Sequence, residues 1–186
     1  MKNNGSKTDK RRKSHGPTSL LEASPLVRRF ATRIVDAAGN GPILDVACGV
    51  GRNAMIFAQL GCTVICLDKN QDLLRRLPNN PRILPMQMDL ATDHWPFGRC
   101  QLGGIVNIHF LLPTIFRRFK SSLSPGGHLL IETVPAHGNN FLELPKEGEL
   151  RSALDGAFDF DFYQEKKAGP LEYKKVTVRL LARRRD

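Results

Sequence analysis

The segment Ile43-Leu44-Asp45-Val46-Ala47-Cys48-Gly49-Val50-Gly51-Arg52-Asn53-Ala54 constrains this chain more than any other. A short apolar run carrying one acid enters a turn with two glycines, and a helical pattern follows at once. A strand that passes through a glycine turn into a helix opens a βαβ unit. Gly49 and Gly51 have no side chains, so backbone there can approach a nucleotide closely. Asp45 falls at the strand's carboxyl end, where open α/β sheets hold their ligands. A carboxylate in that place suits a positively charged group. The spacing Gly49-x-Gly51-x-x-Ala54 also fits the dinucleotide pattern of a nicotinamide oxidoreductase, in which pyrophosphate sits on the helix N-terminus. Asp45 argues against that reading, because it would repel the pyrophosphate.

The rest of the chain repeats the alternation. Ser19 to Ala38 has helical spacing, with Leu26, Phe30, Ile34 and Val35 on one side, and Gly39-Asn40-Gly41-Pro42 stops it. Strands are expected over Ile43–Ala47, Thr63–Leu67, Arg82–Met88, Leu102–Ile108 and His128–Val134. Helices are expected over Arg52–Leu60, Asn70–Leu77 and Pro113–Leu123, and a Pro125-Gly126-Gly127 turn leads into the fifth strand. The strands are short continuous apolar runs, as a parallel sheet covered on both faces requires. Beyond residue 157 the period changes to two: Phe158, Phe160 and Phe162 alternate with acids, and Val176, Val178 and Leu180 alternate with Thr177 and Arg179. Two such runs joined by a Gly-Pro turn make an antiparallel pair.

Two further acids follow strands. Asp68 ends Val64–Leu67 about twenty residues past the glycines, where a carboxylate accepts from both ribose hydroxyls of a nucleoside cofactor. Asp89-Leu90 follows the next strand; the carboxylate is placed to accept from an exocyclic adenine amine, with Met88 or Leu90 covering the ring. A turn cap is the structural alternative for Asp89.

In this order, with Ser124-Pro125-Gly126-Gly127-His128-Leu129-Leu130-Ile131-Glu132 after them, these elements resemble the class I S-adenosylmethionine-dependent methyltransferases. The resemblance is close over residues 43–132. Gly51-Arg52-Asn53-Ala54, Trp95-Pro96-Phe97 and the Glu132 to Leu150 stretch are similar to small bacterial enzymes of the tellurite-resistance, TehB-like kind. The resemblance implies a Rossmann-like three-layer α/β sandwich, with a seven-stranded, mostly parallel sheet whose last strand is antiparallel. It implies S-adenosyl-L-methionine as cofactor. Asp45, Gly49 and Gly51 would hold its methionine end, Asp68 its ribose, and Asp89 and Leu90 its adenine. Asn107 would lie near the sulfonium, and Ala47, Asn53 and Lys69 complete the expected contacts. Ala47 stands where the family often has glycine, which asks for an ordinary backbone geometry there and is read as a mild change.

Methyl transfer needs alignment and exclusion of water more than a protein nucleophile. A base is needed only for an acceptor that arrives protonated. His109, after the fourth strand, is the expected catalytic residue, with His137 in the following loop as second candidate; packing or capping is the alternative for each. Glu132 is placed to orient the acceptor or to close a loop. Asn107-Ile108-His109-Phe110 is loosely similar to the Asn-Pro-Pro-Tyr/Phe loop of enzymes that methylate nucleic-acid amines, but the prolines are absent.

The chain has 186 residues and a net charge of +10. The expected organisation is a disordered basic tail over residues 1–16 and one methyltransferase domain over residues 17–186. In the tail Lys2, Lys7, Lys10, Arg11, Arg12 and Lys13 face only Asp9, with almost no apolar residue to repay ordering. The tail lacks the apolar core of a secretory signal, and no apolar run is long enough to span a membrane, so the expected setting is the cytoplasm. The four cysteines are expected to be reduced thiols with no metal site: Cys62 and Cys66 are read as sharing one face of a strand, about 13 Å apart. The leading expectation is methylation of a small-molecule acceptor. RNA, DNA or protein methylation, which the charge and basic tail favour, and a non-catalytic cofactor-binding module are the alternatives.

Overall fold

Strands that are apolar along their whole length must be covered on both faces. β1 (Ile43–Val46) and β4 (Leu102–Ile108) are buried at every position and lie side by side at the centre of the sheet. The computed structural model describes residues 22–186; the expected tail over residues 1–16, and residues 19–21 of the first expected helix, lie outside the described residues.

The sheet has seven strands in the order β3-β2-β1-β4-β5-β7-β6. β2 is Val64–Asp68, β3 Ile83–Gln87, β5 Leu123–Glu132, β6 Phe158–Ala168 and β7 Lys175–Arg184. β1 to β5 pair in parallel, and β7, the last strand, runs antiparallel to both β5 and β6. This is the expected sandwich. α1 (Pro25–Ala38) and α2 (Ala54–Gln59) cover one face, where Val27, Phe30, Ile34 and Phe57 meet Ile43, Val106 and Leu130. α4 (Phe116–Ser122) and α5 (Glu149–Leu154) cover the other, where Phe116, Phe119, Leu150 and Leu154 meet Leu44, Ile105 and Leu129. The short α3 (Gln71–Leu74) follows β2.

Several boundaries move for local reasons. α3 is shorter than expected: the Asn70 side chain caps it by accepting from the Asp72 and Leu73 N–H groups, and the helix stops before Pro78. Pro113–Ile115 form a 3₁₀ segment ahead of α4. The expected turn at Pro125–Gly127 is a bulge inside β5, whose pairing with β4 jumps from Leu102↔Leu123 to Gly104↔His128. α5 and a 3₁₀ segment, Gly138–Glu143, stand where no element was expected.

The cysteine expectation needs correction. Cys62 precedes β2, and its N–H is bonded to Phe57 O at the end of α2, so Cys62 and Cys66 do not share a strand. Cys66 pairs with Asp45 across β1–β2, and its thiol hydrogen-bonds with Cys48, whose pKa that bond and burial push up. All four thiols are free.

The end of α1, the entry to β1 and the start of β4 meet at two glycines. A Cβ on Gly103 would lie 2.6 Å from Ala38 O, 2.7 Å from Ala38 Cβ and 2.7 Å from Gly41 O. Two of these are backbone atoms that cannot yield separately from the sheet. Gly103→Ala is expected to destabilise the protein by about 2–3 kcal/mol in urea unfolding.

Candidate active site

β1, β2 and β4 all deliver their carboxyl ends to one edge of the sheet. The register pairs Asp45 with Cys66 and Val106, and Val46 with Leu67 and Asn107, so the four predicted strand-end groups Asp45, Ala47, Asp68 and Asn107 fall within a few residues of one another. The loop after β1 is fastened to β2: the Gly49 N–H donates to Asp68 Oδ2 at 2.9 Å, and the Asn70 N–H donates to Oδ1 at 2.9 Å. Each Asp68 oxygen keeps a lone pair for a further donor. Gly49 has φ +58° and open space where a Cβ would be, so the loop leaves a cradle there.

A cavity of about 260 Å³ opens beside this loop. Ala47, Asp68, Lys69, Asp89 and Leu90 of the predicted set line it, together with Phe110. Leu90 and Met88 are buried. Asp89 also caps its own turn, accepting from the Ala91 N–H at 3.0 Å. Leu111 and Leu112, which also line the cavity, were not expected; the apolar residues after Asn107-Ile108-His109 were the only signal for them.

Asp45 and Asn107 lie deeper. Asp45 is buried, and its Oδ2 has no hydrogen-bond partner among the described residues; the same holds for both amide atoms of the fully buried Asn107. Burial pushes the Asp45 carboxyl up to about 7 against the opposing pull of the Ala54 N–H and Arg52. Gly51 and Asn53 face elsewhere. A Cβ on Gly51 would meet Leu77 Cδ2 at 2.5 Å, so that glycine answers to packing. Asn53 Oδ1 accepts from the Ser24 N–H at 3.0 Å and ties the start of α1 to α2.

The expectation for Ala47 is corrected. Its φ is +52°, in the left-handed region, and His109 at the end of β4 has φ +61°. Two adjacent strands thus leave the sheet through a conformation that costs a non-glycine residue on the order of 1 kcal/mol.

Glu132, at the end of β5, is the centre of a polar cluster. It accepts from Ser24 Oγ at 2.5 Å and from Arg179 Nε at 2.8 Å, and its backbone oxygen accepts from the His109 N–H at 2.7 Å. His109 Nε2 lies 3.9 Å from Glu132 Oε2, and His109 Nδ1 lies 3.1 Å from Arg52 Nη2. A guanidinium only donates, so Nδ1 accepts and the neutral ring carries its proton on Nε2. Burial holds the imidazole below its ordinary pKa; Arg52 and Arg179 push the same way and Glu132 opposes them. Ser24, Arg52 and Arg179 were not expected in this cluster, although Arg52 directly follows the second loop glycine. His137 sits apart, with Nδ1 2.9 Å from Pro135 O, and caps the 3₁₀ segment. Among the described residues no three His, Cys, Asp or Glu side chains converge as metal ligands.

A family model described as a methyltransferase domain matches residues 43–127. No curated protein matches the chain. Among solved structures, the chain is similar to an S-adenosylmethionine-dependent methyltransferase from Mesorhizobium loti (TM-score 0.61, 18% identity, covering 83% of this chain and 97% of that one). It is similar to TehB from Haemophilus influenzae (TM-score 0.60, 22% identity, 83% of this chain and 62% of that one). It is also similar to the magnesium protoporphyrin IX methyltransferase ChlM from Synechocystis, solved with bound S-adenosylmethionine (TM-score 0.60, 17% identity, 85% and 77%). At these identities the likeness is one of fold. Together with the matched domain it bears out the resemblance read from the sequence.

The buried acid sets a pH dependence. Asp45 has a pKa of about 7 when folded and 3.8 as an ordinary carboxyl, so the unfolded chain releases its proton first. The stability penalty grows as pH rises from about 4 to about 7 and is complete above that. Asp45→Asn removes it and is expected to raise the melting temperature of the ligand-free protein more at pH 8 than at pH 5.

Proposed function

We propose that this chain, which carries a methyltransferase domain over residues 43–127 in the class I methyltransferase fold, transfers a methyl group from S-adenosylmethionine to a small organic acceptor. The observation that carries the reading is the unpartnered, buried oxygen of Asp45 beside a glycine loop that is hydrogen-bonded to Asp68. Such an oxygen asks for a cation, and a dinucleotide's pyrophosphate is the wrong sign for it.

The residues fit the cofactor. Asp45 and the unsatisfied Asn107 amide would hold the charged amino-acid end beside the Gly49 cradle. Asp68 has acceptor capacity left for ribose hydroxyls, and Leu90, Met88 and Phe110 offer an apolar slot for adenine, with Asp89 and Lys69 at its rim. Ala47 walls the same cavity; Gly51 and Asn53 support it from behind. S-adenosylmethionine, when bound, supplies an electrophilic methyl group on a positively charged sulfur. The protein's part is to orient the acceptor and keep water out.

His109 is the side chain placed to take a proton from an acceptor that arrives protonated. Its Nδ1 is engaged by Arg52, so uptake at Nε2 requires the other tautomer, with Arg52 released. Its lowered pKa favours the neutral imidazole from which either tautomer is drawn. The free thiols fit a cytoplasmic setting. Among the described residues no helix is long and apolar enough to cross a membrane.

Calorimetric titration with S-adenosylhomocysteine and S-adenosylmethionine tests the reading. Both are expected to bind, and Asp68→Ala is expected to weaken binding about 100-fold by removing charge-assisted bonds. Affinity is expected to rise between pH 6 and pH 8 as Asp45 ionises. Binding of NAD with no heat from either sulfur ligand would make the loop a dinucleotide site instead.

A further inference from the structure

The carboxyl edge of the sheet carries a series of cavities rather than one. The cavity beside Asp68 shares Phe110 and Leu111 with a second, of about 230 Å³, which His109, Val134 and Leu144 also line. The second shares Thr133 with a third, of about 630 Å³, between the end of β5 and the β6–β7 hairpin. The cavity beside Asp68, the one beside His109 and the one at the hairpin are thus successive neighbours along this edge.

The character changes along the way. The middle cavity is mixed: Phe110, Leu111, Val134 and Leu144 form its apolar wall, with His109, Thr133 and one acid, Glu143, at its polar side. The third is cationic: Lys166, Lys167 and Arg179 line it against one acid, Glu132. That acid is already engaged by Arg179 and by Ser24. Neither lysine has a carboxylate within 4.0 Å among the described residues. A fourth cavity adjoins across the hairpin, sharing Lys167 and adding Lys174 and Lys175 against one acid, Glu147. Positive charge here exceeds what the protein itself neutralises. A volume of about 630 Å³ is within the usual range for an organic ligand, about 300–1,000 Å³.

We infer that the acceptor is an organic anion: its apolar body lies in the cavity beside His109, and its carboxylate or phosphate is held by Lys166 and Arg179, which share one face of the hairpin, while Lys167 on the opposite face of β6 adds to the positive field. The inference rests on the methyltransferase reading and names the substrate class for it. Single-stranded nucleic acid is the weaker fit, because it binds along an open cationic track with stacking platforms. Here the hairpin turn is closed over by Phe141, whose ring lies 2.5 Å from where a Gly169 Cβ would be. Lysines on an edge strand such as β6 also discourage pairing with a second sheet. That protective role predicts no preference among small ligands, so ligand charge separates the two.

Benzoate and phenyl phosphate serve as anionic probes, with benzamide as the neutral counterpart, each titrated into protein saturated with S-adenosylhomocysteine. Both anions are expected to bind at least about 10-fold more tightly than benzamide. The double variant Lys166→Gln/Lys167→Gln is expected to lose that preference while its affinity for S-adenosylhomocysteine stays unchanged. Equal affinity for benzoate and benzamide would overturn the inference, as would anion binding that survives in the double variant. A short single-stranded RNA that displaces phenyl phosphate and binds more tightly than it would overturn it in favour of nucleic acid. Failure of S-adenosylhomocysteine itself to bind would overturn the cofactor reading and the acceptor role with it, whereas its binding without anion preference sinks the anion inference alone.

Discussion

The hydrogen bond from the Gly49 N–H to the Asp68 carboxylate joins the glycine loop after β1 to the end of β2. Strand register alone brings the ends of β1 and β2 to the same edge, but it leaves the loop between β1 and α2 free to choose its path. The Asp68 carboxylate ends that choice together with two backbone bonds, from the Cys48 N–H to Leu67 O and from the Gly51 N–H to Cys48 O. The other carboxylate oxygen takes the Asn70 N–H, so the acid is held from both sides and faces the cavity with its remaining lone pairs. Ala47, in the left-handed region, lies two residues before Gly49, the donor to Asp68. An unfavourable backbone conformation persists where surrounding bonds over-determine it.

A second hub stands at the end of β5. Glu132 is buried, and a buried carboxylate is tolerated only with partners. It has them from three directions: Ser24 at the start of α1, Arg179 on β7 and the imidazole of His109 after β4. Arg52 extends the cluster to the glycine loop. The helix on one face, the antiparallel strand beyond β5 and the loop of β1 therefore meet through one side chain. His109 sits between the two hubs, which gives it a structural reason for its position beside any chemical one.

Much of this was legible beforehand because parallel strands buried on both faces leave continuous apolar runs, and their carboxyl ends are where the acids Asp45, Asp68 and Asp89 stand. The strand over Leu102–Ile108 was read to its end residues, and the antiparallel end from the period-two alternation of Val176, Val178 and Leu180. What sequence does not carry is the direction in which a side chain finally points. Gly51 and Gly49 look alike in the motif, yet one is packed on Leu77 and the other opens on the cradle. Ala47 looked innocuous because a sequence does not print φ. The Ser24–Glu132 contact spans 108 residues, and nothing local to either residue announces it. The five residues Cys62 to Cys66 read as one continuous strand because all are apolar or small, whereas the turn after α2 consumes the first of them.

The division between the two ends of the chain bears on specificity. The methyltransferase-domain match stops at residue 127, and the cofactor-side cavity is built wholly from residues before that point. Every residue lining the large cavity by the hairpin lies after it, from Glu132 to Arg179. A fold shared at 17–22% identity with the structures compared here preserves an architecture, while the surface at its far edge is free to differ. On this molecule that edge has collected lysines, with Leu144, Val134 and Phe110 between them and the cofactor slot. On the proposed methyltransferase reading, the methyl donor would therefore be held by the first part of the domain. On the same reading, selection of the acceptor would fall to β6, β7 and the loop that joins β5 to α5, with Glu132, the first residue of the large cavity, at the junction of the two.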